Sequence, residues 1–253
     1  MKVLLICLSL VLSSVCANAA DKQVTPIWDG FYIGGSIGYT MGSTTVYVDA
    51  ANPAFFPDFA GGESMKQSLN SLSGGLELGY SVKSGDLVYG LFGSLVSTGA
   101  KDKTWSTGAC CGPGDDQFTT STYGVGILGG RLGYVKDDVM VYVKGGAALA
   151  LTNFDLTDAN IDYLGNATVG STGHKSTTEI LPGFAVGVGV DYALDEHWKL
   201  GADYTYINLG SATWDMTTAS YSSTGTYSGQ ATYVLTTRDL SEHMLSASLK
   251  YTF

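Results

Sequence analysis

Charge is scarce in this chain, and its placement limits the chemistry open to it. Only 14% of the 253 residues are charged. Six of the charged residues, Glu77, Arg131, Lys144, Asp191, Asp203 and Lys250, stand inside segments that otherwise alternate apolar with small or polar residues. Such charges suit one of two tasks: a proton or ion path, or a plug of mutually neutralising pairs, because an isolated buried charge is costly. The three histidines, His174, His197 and His243, are the candidate acid–base groups. His174, near Asp and Ser in a polar stretch, would serve a catalytic site at a rim. No His-x-x-x-His occurs, and single histidines in polar stretches are usually just solvated. No catalytic, metal-binding or cofactor-binding residue is therefore assigned. Cys110 and Cys111 are adjacent, and open to them are a strained vicinal disulfide, an intermolecular bridge, a metal contact or a local loop constraint, the last preferred. Two ligands are too few for a structural zinc site.

The leader says where these groups work. Residues 1–19 carry Lys2, an apolar run from Val3 to Val15, and then Ala17-Asn18-Ala19, which reads as a secretory signal cleaved before Ala20. The run is shorter than a spanning helix requires. Cys16 would suit a lipoprotein, but Val15 stands before it where a small residue belongs. The mature chain offers no stretch apolar enough for a transmembrane helix, so membrane entry requires a closed barrel, in which every backbone group is paired. A net charge of -10 and a pI of about 4.5 argue against binding a phosphate backbone, so no nucleic acid is expected.

Period-two segments supply the strands. In FYIGGSIGY, Phe31, Ile33, Ile37 and Tyr39 oppose Tyr32, Gly34, Ser36 and Gly38. LSGGLELGYSV, FAVGVGVDYAL, WKLGADYTY and MLSASLKYTF repeat the pattern, with one face apolar and aromatic and the other small, polar or charged. By this parity the six charged residues point to the second face. That is the lipid-out, polar-in signature of a membrane barrel. A soluble sandwich also alternates, but here connection length alternates too. KSGD, KDD and DEH make tight turns, while Gly/Ser/Thr/Asp-rich stretches at 42–66, 99–120, 152–177 and 208–237 read as long external loops.

Four long loops and three short turns require eight strands, near 29–41, 67–82, 87–98, 120–135, 139–151, 178–194, 198–208 and 238–253. The expected fold is all-β: an eight-stranded antiparallel transmembrane β-barrel over 29–253, after a periplasmic segment at 20–28. Trp28, Tyr80, Tyr134, Tyr192, Trp198, Tyr251 and Phe253 would form an aromatic girdle at the periplasmic interface. VYGLFGSLV is apolar on both faces, and Val125 and Ile127 share the parity of Arg131, which calls for a bulge or a partly apolar lumen. An eight-stranded barrel is just wide enough for side chains to fill, which favours the plug over the path.

WDGFYIGGSIGY, GGRLGYVKDDVMVYVKGGAALA, GVDYALDEHWKLGADYTYINLG and the terminal LSASLKYTF, taken in order, resemble the outer-membrane immunogenic proteins, small surface-antigen barrels related to the OmpA type. The resemblance runs from Trp28 to Phe253 and omits the loops. It implies a non-enzymatic outer-membrane protein that supports envelope integrity and presents surface loops. The alternative is a narrow porin-like barrel or an uptake barrel for haem or another ligand. The partners implied are outer-membrane lipid, lipopolysaccharide and the barrel-assembly machinery, which would read a terminal face including Tyr251 and Phe253. In the first loop Phe55, Phe56 and Phe59 are more apolar than solvation needs, and are candidates for contact with a host surface or ligand, or for packing against neighbouring loops.

Overall fold

The computed structural model describes residues 27–52, 64–105, 116–159, 172–221 and 227–253. The signal segment 1–19, most of 20–28, Cys110, Cys111, Phe55, Phe56 and Phe59 lie outside the described residues. The described chain is an antiparallel meander: β1 (Gly30–Asn52), β2 (Ser64–Ser84), β3 (Leu87–Trp105), β4 (Asp116–Lys136), β5 (Val139–Ala159), β6 (Thr172–Ala193), β7 (Trp198–Asn208), β8 (Ala212–Tyr221) and β9 (Tyr227–Thr252). Each of β1 to β6 pairs with the next, β7 pairs with β9, and β9 closes the ring on β1. Eight staves result, because β8 prolongs β7. Asn208 faces Ser241 and Ala212 faces Thr237, which is one unbroken register along β9. Leu209 to Ser211 interrupt the stave, with Gly210 at φ +69° and Asp239 opposite at φ +57°.

Closure is staggered. A path of paired residues that leaves β1 at Tyr32 passes Gly79, Phe92, Gly129, Gly146, Ala185, Ile207 and Glu242 and returns to β1 at Gly42. That stagger of 10 residues over eight staves tilts the strands by about 40° and leaves an interior that side chains can fill. Period-two patterning is realised directly. Leu72, Leu76, Leu78 and Tyr80 of β2 face outward, 53–82% exposed, while Ser73 and Ser81 are buried inside.

The ring matches the eight-stranded expectation, but the strands run farther than the sequence reading placed their ends. Much of the stretches read as loops, 42–66, 99–120, 152–177 and 208–237, is paired strand. These stretches are rich in Thr, which favours an extended backbone. Their inward positions bury Val46, Met65, Phe118, Phe154, Leu156, Trp214 and Leu235, which with Leu69 and Leu240 at their edges give the extension an apolar core of its own. The irregular parity around β3 and β4 has both causes considered. Register shifts at Ser97/Ala100 and Thr122/Gly124 turn Tyr123 outward, and Phe92, Val96, Val125 and Ile127 line an apolar interior.

One aromatic assignment needs correction. Tyr80, Tyr134, Trp198 and Phe253 are outward and exposed, but Trp28 is 3% exposed and lies inside the barrel with Val88, Val135, Met140, Tyr142 and Ala193. Trp28 has the inward parity of Tyr32. Gly30, at φ +110°, turns the chain into the barrel mouth, where an added Cβ would stand 3.1 Å from the Phe253 carbonyl.

Candidate functional site

The candidate site is the charged layer across the interior above Trp28. Parity delivers its members. Glu77 (β2), Arg131 (β4), Lys144 (β5), Asp191 (β6), Asp203 (β7) and Lys250 (β9) sit at inward positions of six staves, and the structure brings them together. Lys250 is the hub. Its ammonium donates to both Asp191 carboxylate oxygens, at 2.8 and 3.0 Å, and to the Tyr142 hydroxyl at 3.3 Å. It also lies 4.0 Å from Glu77 Oε1, which accepts the Tyr32 hydroxyl at 3.1 Å. Arg131 donates from Nε and Nη2 to Ser81 Oγ at 3.2 and 2.8 Å, stacks 4.2 Å from the Tyr32 ring centroid, and keeps Nη1 3.9 Å from Asp191. One layer farther out, Lys144 donates to Asp203 Oδ2 at 2.8 Å, and Asp203 also accepts Ser246 and Thr205 hydroxyls at 3.0 Å each.

Three further residues belong to this layer and were not singled out from sequence. Lys199, 4% exposed, donates to Thr252 Oγ1 at 2.8 Å and lies 5.2 Å from the Trp28 ring centroid. With it the layer holds four cations against three anions, and the extra cation rests on an aromatic face and a hydroxyl rather than on a carboxylate. Tyr32 and Tyr142 are the others. Room for their rings comes from glycines on neighbouring staves: a Cβ at Gly79 would meet the Tyr32 hydroxyl at 2.6 Å, and one at Gly189 would strike the Tyr142 ring. Lys199 alternates with Gly201 and Asp203, so extending parity by one position would have found it. Glu242 was missed in the same way. It is fully buried two positions before Met244 on the inward face of β9, and faces Thr122 across the interior.

The layer leaves little space. A cavity of about 20 Å³ borders Glu77, Ser94, Lys144, Asp203, Ser246 and Lys250, on the order of one water molecule. Two anions and a cation interlocked at 2.8–4.0 Å across different staves can hold the wall together and block a solute. The imidazole rings lie outside this layer, and His197 meets it only through its backbone carbonyl, which accepts the Lys199 ammonium at 3.4 Å. His174 on β6 has Nδ1 3.3 Å from Thr157 Oγ1, His197 in the turn before β7 has Nδ1 2.8 Å from the Thr252 carbonyl, and His243 on the outward face of β9 has Nδ1 2.6 Å from the Tyr204 hydroxyl. Among the described residues no group of three or more His, Cys, Asp or Glu side chains is placed to hold a metal ion.

At the closing seam, Phe253 donates its backbone N–H to the Phe31 carbonyl at 2.9 Å, and its ring lies 5.9 Å from Phe31 and 5.2 Å from Tyr251. In the β6–β7 turn, Asp195 Oδ1 accepts the backbone N–H groups of Trp198 and His197 at 2.7 and 2.8 Å. These two bonds hold its carboxyl below the usual carboxylate range.

The chain is 26% identical over 203 residues to the 31 kDa outer-membrane immunogenic protein of Brucella melitensis biotype 1, covering 79% of each chain. It is 26% identical over 207 residues to the 22 kDa outer membrane protein of Rhizobium leguminosarum bv. viciae, covering 81% of this chain and 76% of that one. Among solved structures, the outer membrane protein OprG from Pseudomonas aeruginosa aligns with a TM-score of 0.48 at 14% identity, covering 92% of this chain and all of that one. The family model for the outer membrane protein beta-barrel domain matches residues 7–253. With nearly its whole length matched and its strands closed into a ring, the chain belongs to the outer membrane protein beta-barrel domain family and is a protein of the outer membrane.

Proposed function

We propose that this protein is a non-enzymatic barrel whose interior is closed to solutes and whose work is done on its external face, supporting the envelope and presenting surface segments in the manner of an antigen or adhesin. The observation that carries this reading is the interlocked layer of Lys250, Asp191, Glu77 and Arg131, with Trp28 beneath it. The external extension supports it from the other side: strands with a core of their own make a rigid platform for whatever the connections display. The description of the Brucella relatives as immunogenic fits a face open to the outside. Export by residues 1–19 and reading of Tyr251 and Phe253 by the assembly machinery belong to the same proposal.

Planar-bilayer recording tests the closed interior. Purified wild-type protein should give no large, stable channel, and a steady open conductance would replace this reading with a porin-like one. Deleting Phe253 should weaken heat-modifiable migration on gels, and unchanged migration would remove the assembly role. Outer-membrane leakage of a knockout, measured beside its cell adhesion, separates the envelope role from the adhesive one.

A further inference from the structure

The lipid-facing wall is not uniform. Across β2 to β6 it carries an open apolar hollow of about 860 Å³. Gly74, Ser97 and Gly126 leave its floor low, while Leu76, Leu95, Tyr123 and Ile180 stand around it, 50–72% exposed. The outward bulge of β4 supplies the Tyr123 wall. On β3 the outward apolar run of Leu87, Tyr89, Leu91 and Leu95 stops at Ser97, and the next outward side chains after Gly99 are Lys101 and Lys103. On β2 the run stops at Leu72, and Lys66 follows above Asn70 and Ser68. The Thr104 hydroxyl, donating to the Lys66 carbonyl at 3.4 Å, holds Lys66 beside the two β3 lysines. Among the described residues none of the three lysines makes an ion pair. Asp102, the nearest carboxylate in sequence, has its oxygens on the backbone N–H groups of Ser68 and Lys103 at 2.7 and 2.8 Å. In a chain of net charge -10 the three lysines outnumber Asp102 here, which leaves the patch with a positive balance among the described residues. It lies at the outer edge of the apolar band: Lys101 and Lys103 stand four and six residues past Ser97, about 13 and 20 Å along the strand, and Lys66 eight residues past Gly74, about 26 Å.

We propose that this surface binds one phosphorylated, multiply acylated glycolipid of the outer leaflet, the lipid A part of lipopolysaccharide. Acyl chains occupy the glycine-floored hollow, and the phosphates sit on Lys66, Lys101 and Lys103. The charge pattern favours this occupant over a second copy of the chain, which would meet the lysines with like charge. The inference needs only the outer-membrane placement and is independent of whether the interior is closed.

The test uses the full protein in detergent, titrated with purified lipid A and with the same lipid stripped of phosphate. The triple variant Lys66→Gln, Lys101→Gln, Lys103→Gln should lose at least roughly tenfold in affinity for lipid A and little for the stripped lipid. The triple Arg variant should bind as wild type does. Filling the hollow with Gly74→Leu and Gly126→Leu should weaken both lipids, and neither new Cβ would come closer than 3.4 Å to another atom. Lipid A affinity unchanged in the Gln variant, or equal binding of phosphatidylethanolamine, would overturn the site. A cross-linked dimer lost on filling the hollow, with lipid affinity unmoved, would assign the hollow to self-association instead. The lysine variant alters only exposed side chains, so it decides the question even where the leucines block assembly.

Discussion

The two ends of the barrel interior are built from different materials. At the periplasmic end, Lys250, Asp191, Glu77, Arg131, Lys144, Asp203 and Lys199 cross the lumen above Trp28. At the external end the same inward face holds Leu69, Phe118, Phe154, Leu156, Trp214, Leu235 and Leu240, with Thr40, Gln67, Thr122, Thr152 and the buried Glu242 carboxyl among them. The solvent outside the wall explains the difference. Where lipid surrounds the staves, apolar residues are spent on the outer face and hydrophobic burial inside is not needed to close the wall, so the interior can be polar provided its charges pair. Where water surrounds them, the extension is stabilised as a soluble β-structure is, by burying apolar side chains on its inner face. One set of strands thus obeys opposite patterning rules along its length.

Breaking the charged end should cost most. Asp191→Leu strands Lys250 and Arg131 without their shared carboxylate, and removing one partner of a buried pair costs about 3–5 kcal/mol. Urea unfolding of the detergent-folded protein measures it, and a loss under 1 kcal/mol would mean that water has taken the place of the carboxylate. Next is the apolar end. Phe154 stacks on Trp214 with centroids 5.9 Å apart, and Phe154→Ala should remove about 3 kcal/mol. Hydrogen exchange should find the loss confined to the extension, whereas uniform loosening down to Lys250 would show the two ends to be one cooperative unit.

Trp28→Ala leaves the paired charges in place and removes the ring beneath Lys199. Small-ion leak through bilayers should rise a few-fold at most if the charged layer is the seal, while a large conductance would make Trp28 the seal. The smallest effect belongs to the turn. The Asp195 carboxyl is held below its usual range, so its contribution to folding is fully present above the unfolded value of about 3.9 and is lost as pH falls through the lower folded value. Asp195→Asn should therefore be slightly less stable than wild type near neutrality, with the gap closing in acid. A gap independent of pH would place the effect in packing instead.

Much of this was legible before any coordinates. Period two assigned Glu77, Arg131, Lys144, Asp191, Asp203 and Lys250 to one face, because side-chain direction in a strand is fixed by parity alone. Tight turns at KSGD, KDD and DEH set the stave count. The ends of strands were less legible. A Thr- and Ser-rich stretch such as 42–52 reads as loop until its few inward apolar residues, Val46 among them, find partners on other staves. Trp28 was misassigned because closeness to a strand end was weighed above parity, and Gly30's left-handed φ, which swings it inward, leaves no trace in the sequence.

The sequence by itself determined the class of solvent on each face, the number of staves and which charges share the interior, since all three follow from local alternation and turn length. Which charge meets which was decided only by the closed ring. The stagger of 10 residues sets the height of each stave against its neighbours, and so brings Lys250 of the last stave to Asp191, two staves away, and to Glu77 on the far side of the seam. Stagger is a property of closure, held by no single segment, and for that reason it could not be read one segment at a time.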